Sequence, residues 1–293
     1  MEGMRWLVGV AVALLAPCDA RASDDAQWYM QVDNDAAFIS DRWYTSGVRI
    51  ARSHRSGDAQ RIEWGVVQEI YTPNTNRFNP VDRPYVARLF FSGARHDYAP
   101  GAHRTLELTA GVRGPAALGR ETQDFVHRVV PAPEDDWSRQ LPNRLDVQAI
   151  AVQSRDLAID AGQQAQGVLH YGAVVGTNVT LAHAGVEVRA GQPIEFPALR
   201  FAPTPPLATT HGWSAFAGAS GRWVLRNTLL AGSNDPTVSE VRRNPGVARL
   251  AAGLAWANEW GVVTFALVQD SREFRTQQAM QRFGILTLHL SFL

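Results

Sequence analysis

Residues 103–113 read HRTLELTAGVR. In an extended chain successive side chains point to opposite sides, so Leu106, Leu108, Ala110 and Val112 share one face and Thr105, Glu107, Thr109 and Gly111 the other. Residues 284–293, GILTLHLSFL, behave likewise, with Leu286, Leu288, Leu290 and Phe292 alternating with Thr287, His289 and Ser291. The chain there ends on an aromatic and an apolar residue, as outer-membrane barrels commonly do. The same period gives strands near 27–35, 43–53, 61–71, 85–98, 103–113, 144–154, 165–176, 178–190, 210–226, 246–258, 261–273 and 282–293. About twelve is an even number within the bacterial barrel range. Strands of about ten residues are long for a soluble two-sheet sandwich, the alternative all-β reading, and suit a tilted crossing of the hydrocarbon layer. The expected fold is therefore all-β, an antiparallel transmembrane β-barrel of about twelve strands with a short helix in an extracellular loop.

Composition agrees with dispersed apolar residues. Hydrophobic residues are 45% of the 293, yet mean hydropathy is −0.18. Beyond residue 22 no stretch approaches the apolar length of a membrane helix, so a membrane protein here must be a closed barrel. The 28 basic and 28 acidic residues balance, which leaves no electrostatic footprint for nucleic acid. At the N-terminus, Arg5, the apolar run 6–16 and Ala20-Arg21-Ala22 read as a secretory signal peptide over 1–22, leaving 23–293 as the barrel. The only cysteine, Cys18, would leave with it, so burial and hydrogen bonding must hold the mature chain. Trp28, Tyr29, Trp43, Tyr44, Phe90, Trp213, Trp223 and Trp260 fall near strand ends, where interfacial girdles would sit.

Loop lengths orient the barrel. Antiparallel order puts connections 36–42, 72–84 and 114–143 at one rim, and the rim with the longer loops of such barrels is extracellular. In the largest of these loops, residues 116–128 read as a helix opened by Pro115. The first hairpin, QVDNDAAFISDRWYTSGVRI at 31–50, concentrates Asp33, Asn34, Asp35 and Asp41 at its tip. Asn34 and Asp35 end one strand and Thr45 begins the next, so carboxylate, amide and hydroxyl oxygens converge, the donor set a hard cation such as calcium selects. An Asx-rich turn is the plain alternative. On the loop helix, Gln123 and His127 lie one turn apart on one face, where Gln123 could orient the imidazole or a water and His127 could take a proton from water.

Two further groups carry chemistry. Arg77 and Arg83, in YTPNTNRFNPVDRPY at 71–85, could bind phosphate through paired donors, or pair with Asp82 and neighbouring acids as ordinary salt bridges. His289 and Ser291 share the inward face of the last strand at the opposite, periplasmic end, and a His-x-Ser pair there resembles the dyad of other outer-membrane lipid hydrolases.

Taken together, DNDAAFISDRWYTSGVRI, QEIYTPNTNRFNPVDRPY, LELTAGVRGPAALGRETQDFVH, DDWSRQLPNR and REFRT, in this order and spacing, resemble the outer-membrane lipid A 3′-O-deacylase (LpxR-like) family. The resemblance implies a twelve-stranded barrel that removes the 3′-linked acyloxyacyl unit from lipid A of lipopolysaccharide in the outer leaflet, with calcium. By motif match Asn34, Asp35 and Thr45 fall in the active-site hairpin, Asn34 and Asp35 on the metal side, Gln123 and His127 on the catalytic helix, and Arg77 in the basic substrate loop. An acid shortly after the histidine is also implied, the nearest being Glu134 and Asp135. Two positions depart from the family pattern and bear on substrate fit: DRPY continues with Val86-Ala87-Arg88 rather than Ala-Gly-Trp, and Arg144 replaces an acid. The expectation is a monomeric, calcium-dependent esterase of the bacterial outer membrane with His127 as general base. A non-enzymatic porin or structural barrel, and a His289/Ser291 hydrolase, are the competing readings.

Overall fold

A computed structural model describes residues 26–38, 42–74, 81–129, 135–157, 165–192, 211–231 and 240–291. The expected signal peptide, Asp41, Arg77 and Glu134 lie outside the described residues.

Twelve strands close into a barrel in which each pairs antiparallel with its sequence neighbours and the last pairs with the first. They are β1 (Gln27–Asn34), β2 (Trp43–Gly57), β3 (Gln60–Thr72), β4 (Val86–Ala99), β5 (Ala102–Arg113) and β6 (Arg144–Leu157). The second half is β7 (Ala165–Gly176), β8 (Val179–Gly191), β9 (Gly212–Asn227), β10 (Gly246–Asn258), β11 (Gly261–Asp270) and β12 (Gln281–Ser291). Closure satisfies the backbone of every strand without leaving an edge, which a hydrocarbon layer requires.

The alternation read from residues 103–113 sorts as a membrane wall demands. Leu106 and Leu108 are exposed on the outside, while Thr105, Glu107 and Thr109 are buried inside. The lumen is filled by charge networks. Arg49 lies 2.8 Å from Glu63 and 3.0 Å from Glu107, Arg88 lies 2.6 Å from both Glu69 and Asp146, and Asp270 joins Arg222 and Arg249 at 2.6 and 2.7 Å. Most of these groups, Glu63 and Asp146 excepted, line a cavity of about 190 Å³. Pairing offsets much of the cost of burying these ions.

Girdle expectations divide. Trp28, Trp213, Trp223 and Trp260 are exposed on the wall, joined by Trp64 and Phe91, but Tyr29, Trp43, Tyr44 and Phe90 are buried. Tyr29 and Tyr44 point inward to a polar chain: Tyr29 donates to Gln31, Gln31 to Asp33 at 2.5 Å, and Tyr44 to Asp33 at 2.6 Å. Asp33 thus belongs to the lumen rather than the rim.

The 114–143 connection also differs in detail from expectation. Pro115 opens a separate 3-10 turn, Pro115–Ala117, closed by Leu118 in the left-handed region (φ 58°), and helix α1 runs from Gly119 to Val129. The break is steric. A Cβ on Gly119 would stand 2.3 Å from Ala87 Cβ and 2.9 Å from the Trp137 ring, so glycine lets the helix start flat against β4.

Candidate active site

Strand parity decides which side of the wall the loop helix occupies. On β3, Val67 faces the lumen, so Gln68 and Ile70 face out; on β4, Arg88 faces in and Ala87 out. The outward set is what the loop covers. Gln68 Nε2 donates to Ala117 O at 2.8 Å, and Ile70, Tyr85, Ala87, Ala117 and Trp137 form one buried cluster. Helix α1 and its flanking turns therefore lie over the outer surface of β3 and β4 at the mouth that receives the β1–β2, β3–β4 and β5–β6 connections, here the upper mouth.

On that helix Gln123 is buried, and Trp137 Nε1 donates to its Oε1 at 3.2 Å. With the carbonyl end fixed, the buried Nε2 is left with no hydrogen-bond partner. One turn on, His127 is half-buried, and its Nδ1 lies 4.0 Å from Asp135 Oδ2. Tyr85 donates to the other oxygen of Asp135 at 2.9 Å. Burial, and the Asp135 carboxylate beside it, push the Tyr85 phenol well above its ordinary range, so it stays a donor. The result is a Tyr85–Asp135 hydrogen bond with the His127 imidazole next to it, beyond hydrogen-bond reach of the carboxylate, beside a pinned amide.

The hairpin group forms at the same mouth. Asp33 faces in, so Asn34, the last residue of β1, falls on the outward face. Asp35 is buried in a 3-10 turn (Asp35–Phe38), and its Oδ2 accepts the Arg42 backbone N–H at 2.7 Å. Thr45 sits in a β-bulge between Tyr44 and Ser46, and its hydroxyl shares a 2.6 Å hydrogen bond with Thr72 of β3. The bulge reverses strand phase: Tyr44 and Gly47 both face the lumen, leaving Thr45 and Ser46 together toward the outer side. Trp43 just before it adopts φ 64°, a left-handed conformation costing a bulky residue about 1–3 kcal/mol, and is held by its Nε1 bond to Asp82 at 3.3 Å. Asp82 also accepts from the backbone of Asn74 (2.7 Å) and Arg83 (2.8 Å), so one carboxylate braces both loops.

The structure thus places Gln123, His127 and Asp135 together, and Asn34, Asp35 and Thr45 on the first hairpin, all at the upper mouth, with β3 between the two sets carrying Thr72 toward the hairpin and Gln68 toward the helix. Arg83 makes an ion pair through Nη1, while its Nε and Nη2 are buried with no hydrogen-bond partner. It is buried, 3.2 Å from Glu273, with its guanidinium over the Tyr71 ring at 4.3 Å, and so braces loop 271–280. His289 is buried in the lumen against Tyr29, ring centroids 4.3 Å apart. The roles of Tyr85 and Trp137 are new: both lie in quoted motifs, DRPY and DDWSRQLPNR, but nothing local marks the first as bonding an acid 50 residues on or the second as bonding an amide 14 back.

Amide, carboxylate and hydroxyl oxygens from Asn34, Asp35 and Thr45 fit a hard cation by donor type. Among the described residues no three His, Cys, Asp or Glu side chains gather to hold a metal, so a cation here would draw on Asp35 with amide, hydroxyl, backbone and water oxygens.

A family model described as outer membrane protein LpxR matches residues 7–292. The chain belongs to the LpxR family. Among solved structures, LpxR from Salmonella typhimurium resembles this LpxR-family barrel with a TM-score of 0.77 and 24% identity, over 91% of this chain and 100% of that one. The β domain of the Bordetella autotransporter BrkA aligns at a TM-score of 0.45 and 13% identity, over 91% and 98%. No curated protein sequence matches the chain. Family and fold together bear out the expected twelve-stranded barrel and its place in the outer membrane.

Proposed function

We propose that this LpxR-family protein is a lipid A 3′-O-deacylase acting at the outer, lipid-facing side of its upper mouth, which is the extracellular one. The observation that carries the reading is the placement of Tyr85, Asp135, His127 and the pinned Gln123 amide together on the outside of the wall rather than in the lumen. An ester substrate embedded in the leaflet reaches that side by lateral diffusion.

On closing the 4.0 Å gap Asp135 accepts a hydrogen bond from His127 Nδ1, and Nε2 is then the nitrogen that takes a proton from water as the water oxygen attacks the ester carbonyl carbon. Negative charge then gathers on the former carbonyl oxygen. Gln123 Nε2, held by Trp137 through its other end, is a preorganised donor for that charge. Collapse of the tetrahedral intermediate breaks the C–O bond to the sugar 3′ oxygen, and the proton on His127 passes to that leaving oxygen. The acyloxyacyl unit departs as a free acid. Calcium, held by Asn34 and Asp35, would supply Lewis-acid polarisation of the carbonyl. No serine nucleophile enters the scheme.

Mass spectrometry of lipid A from cells expressing wild type or His127→Ala tests this. Loss of the acyloxyacyl fragment with wild type alone is expected; unchanged lipid A in both would favour a non-enzymatic barrel.

A further inference from the structure

Across the upper ends of β4, β5 and β6, Arg88, Arg113 and Arg144 are direct register partners. Residues opposed in this way share a face and lie close, and like charges so placed destabilise a sheet. The shared face is the lumen side, since Arg88 lines the cavity there and bonds Asp146. Arg88 is compensated by Glu69 and Asp146, both at 2.6 Å.

Arg113 draws only a more distant attraction from Asp146 and makes no ion pair. It is 0% exposed, its Nη1 donates to Thr228 O and lies 3.4 Å from Thr228 Oγ1, and no carboxylate among the described residues forms an ion pair with it. Its Nε and Nη2 are buried with no hydrogen-bond partner. Arg49, Arg83, Arg222 and Arg249 each have a carboxylate within 3.2 Å, so Arg83, whose Nε and Nη2 are likewise buried without a hydrogen-bond partner, differs from Arg113 in holding an ion pair through Nη1. The orphaned edge has a defined chemistry: Nε and Nη2 are the same two atoms with which Arg249 grips Asp270, at 2.7 and 2.8 Å. That edge is the guanidinium fork that takes an oxyanion with two parallel bonds. A buried cation with an empty fork is costly, and Arg144, exposed at the rim beside it, opens the row to solvent.

We infer that Arg113 and Arg144 form an anion site on the lumen side of the upper mouth that takes a phosphate-type oxyanion, separate from the outward ester site. The oxyanion satisfies the Arg113 fork and screens it from Arg144.

The test uses full-length protein in detergent free of lipopolysaccharide, with thermal unfolding followed by circular dichroism while phosphate replaces chloride at constant ionic strength. Wild type should show a saturable rise in Tm. In Arg144→Glu the new carboxylate faces Arg113, so Tm in chloride should rise and phosphate should bind about tenfold or more weakly. Arg113→Met should lose the phosphate response too; if it fails to fold, Arg144→Glu still decides. A wild-type response to added lipopolysaccharide but not to phosphate, lost in Arg144→Glu, assigns the oxyanion to the lipid headgroup. Response to neither, or equal responses in wild type and Arg144→Glu, overturns the site. None of these readouts involves ester cleavage.

Discussion

Tyr85, Asp135 and His127 come from three separate places in the chain, and the 2.9 Å and 4.0 Å separations linking them define what each atom can do. In the proposed mechanism His127→Ala removes the general base, so turnover should fall about 10²- to 10⁴-fold, measured as acyloxyacyl acid released per minute. Tyr85→Phe deletes one bond to the orienting carboxylate and should cost roughly five- to tenfold. The pH profile separates that effect from a titrating tyrosine. Burial and Asp135 raise the Tyr85 phenol, a raised acid keeps its proton, and so wild-type Tyr85 is neutral throughout the working range. The alkaline limb of kcat/KM should therefore not move in Tyr85→Phe; a shifted limb would show that the phenol ionises during turnover.

At the scale of elements, the site depends on how α1 meets the outer wall. Gly119 permits that contact, because any Cβ there enters Ala87 and the Trp137 ring. Gly119→Val should displace the start of α1 and with it Gln123 and His127, abolishing activity while the twelve strands stay paired; gel mobility that still shifts on heating, with no activity, is the expected result. How much could be read in advance follows the same division. Strands announced themselves through period two, and His127 and Gln123 through their helical spacing. The position of the helix did not, because Ala87 and Ile70 read as ordinary lipid-facing residues until Ala117 and Trp137 are seen to cover them. Inward aromatics were misread for a related reason: Phe90 and Phe91 are neighbours near one strand end, yet one is 5% and the other 72% exposed. Parity decides this, not position, and at Tyr44 a bulge resets parity next door. Arg83 was ambiguous because its partner Glu273 lies 190 residues away.

For the whole molecule, the charged lumen is the stabilising element and the outward site the one proposed to carry the chemistry. Arg49 holds two buried carboxylates, so Arg49→Met leaves Glu107 without a cation and Glu63 with only His96 beside it at 3.7 Å, and should destabilise the barrel by about 3–5 kcal/mol in urea unfolding from micelles. Trp43, Leu230, Val241 and Phe274 pack together over the upper mouth, above the charge networks. Planar-bilayer recordings should accordingly find no porin-sized conductance. The central claim is that ester cleavage belongs to the outer wall and not to the lumen. Its most direct measurement is the rate at which purified protein in calcium-containing micelles releases the 3′-linked acyloxyacyl acid from lipid A, for wild type, His127→Ala and His289→Ala. The account predicts that His127→Ala is inactive and that His289→Ala retains wild-type turnover; activity that survives loss of His127 and disappears with loss of His289 would contradict it.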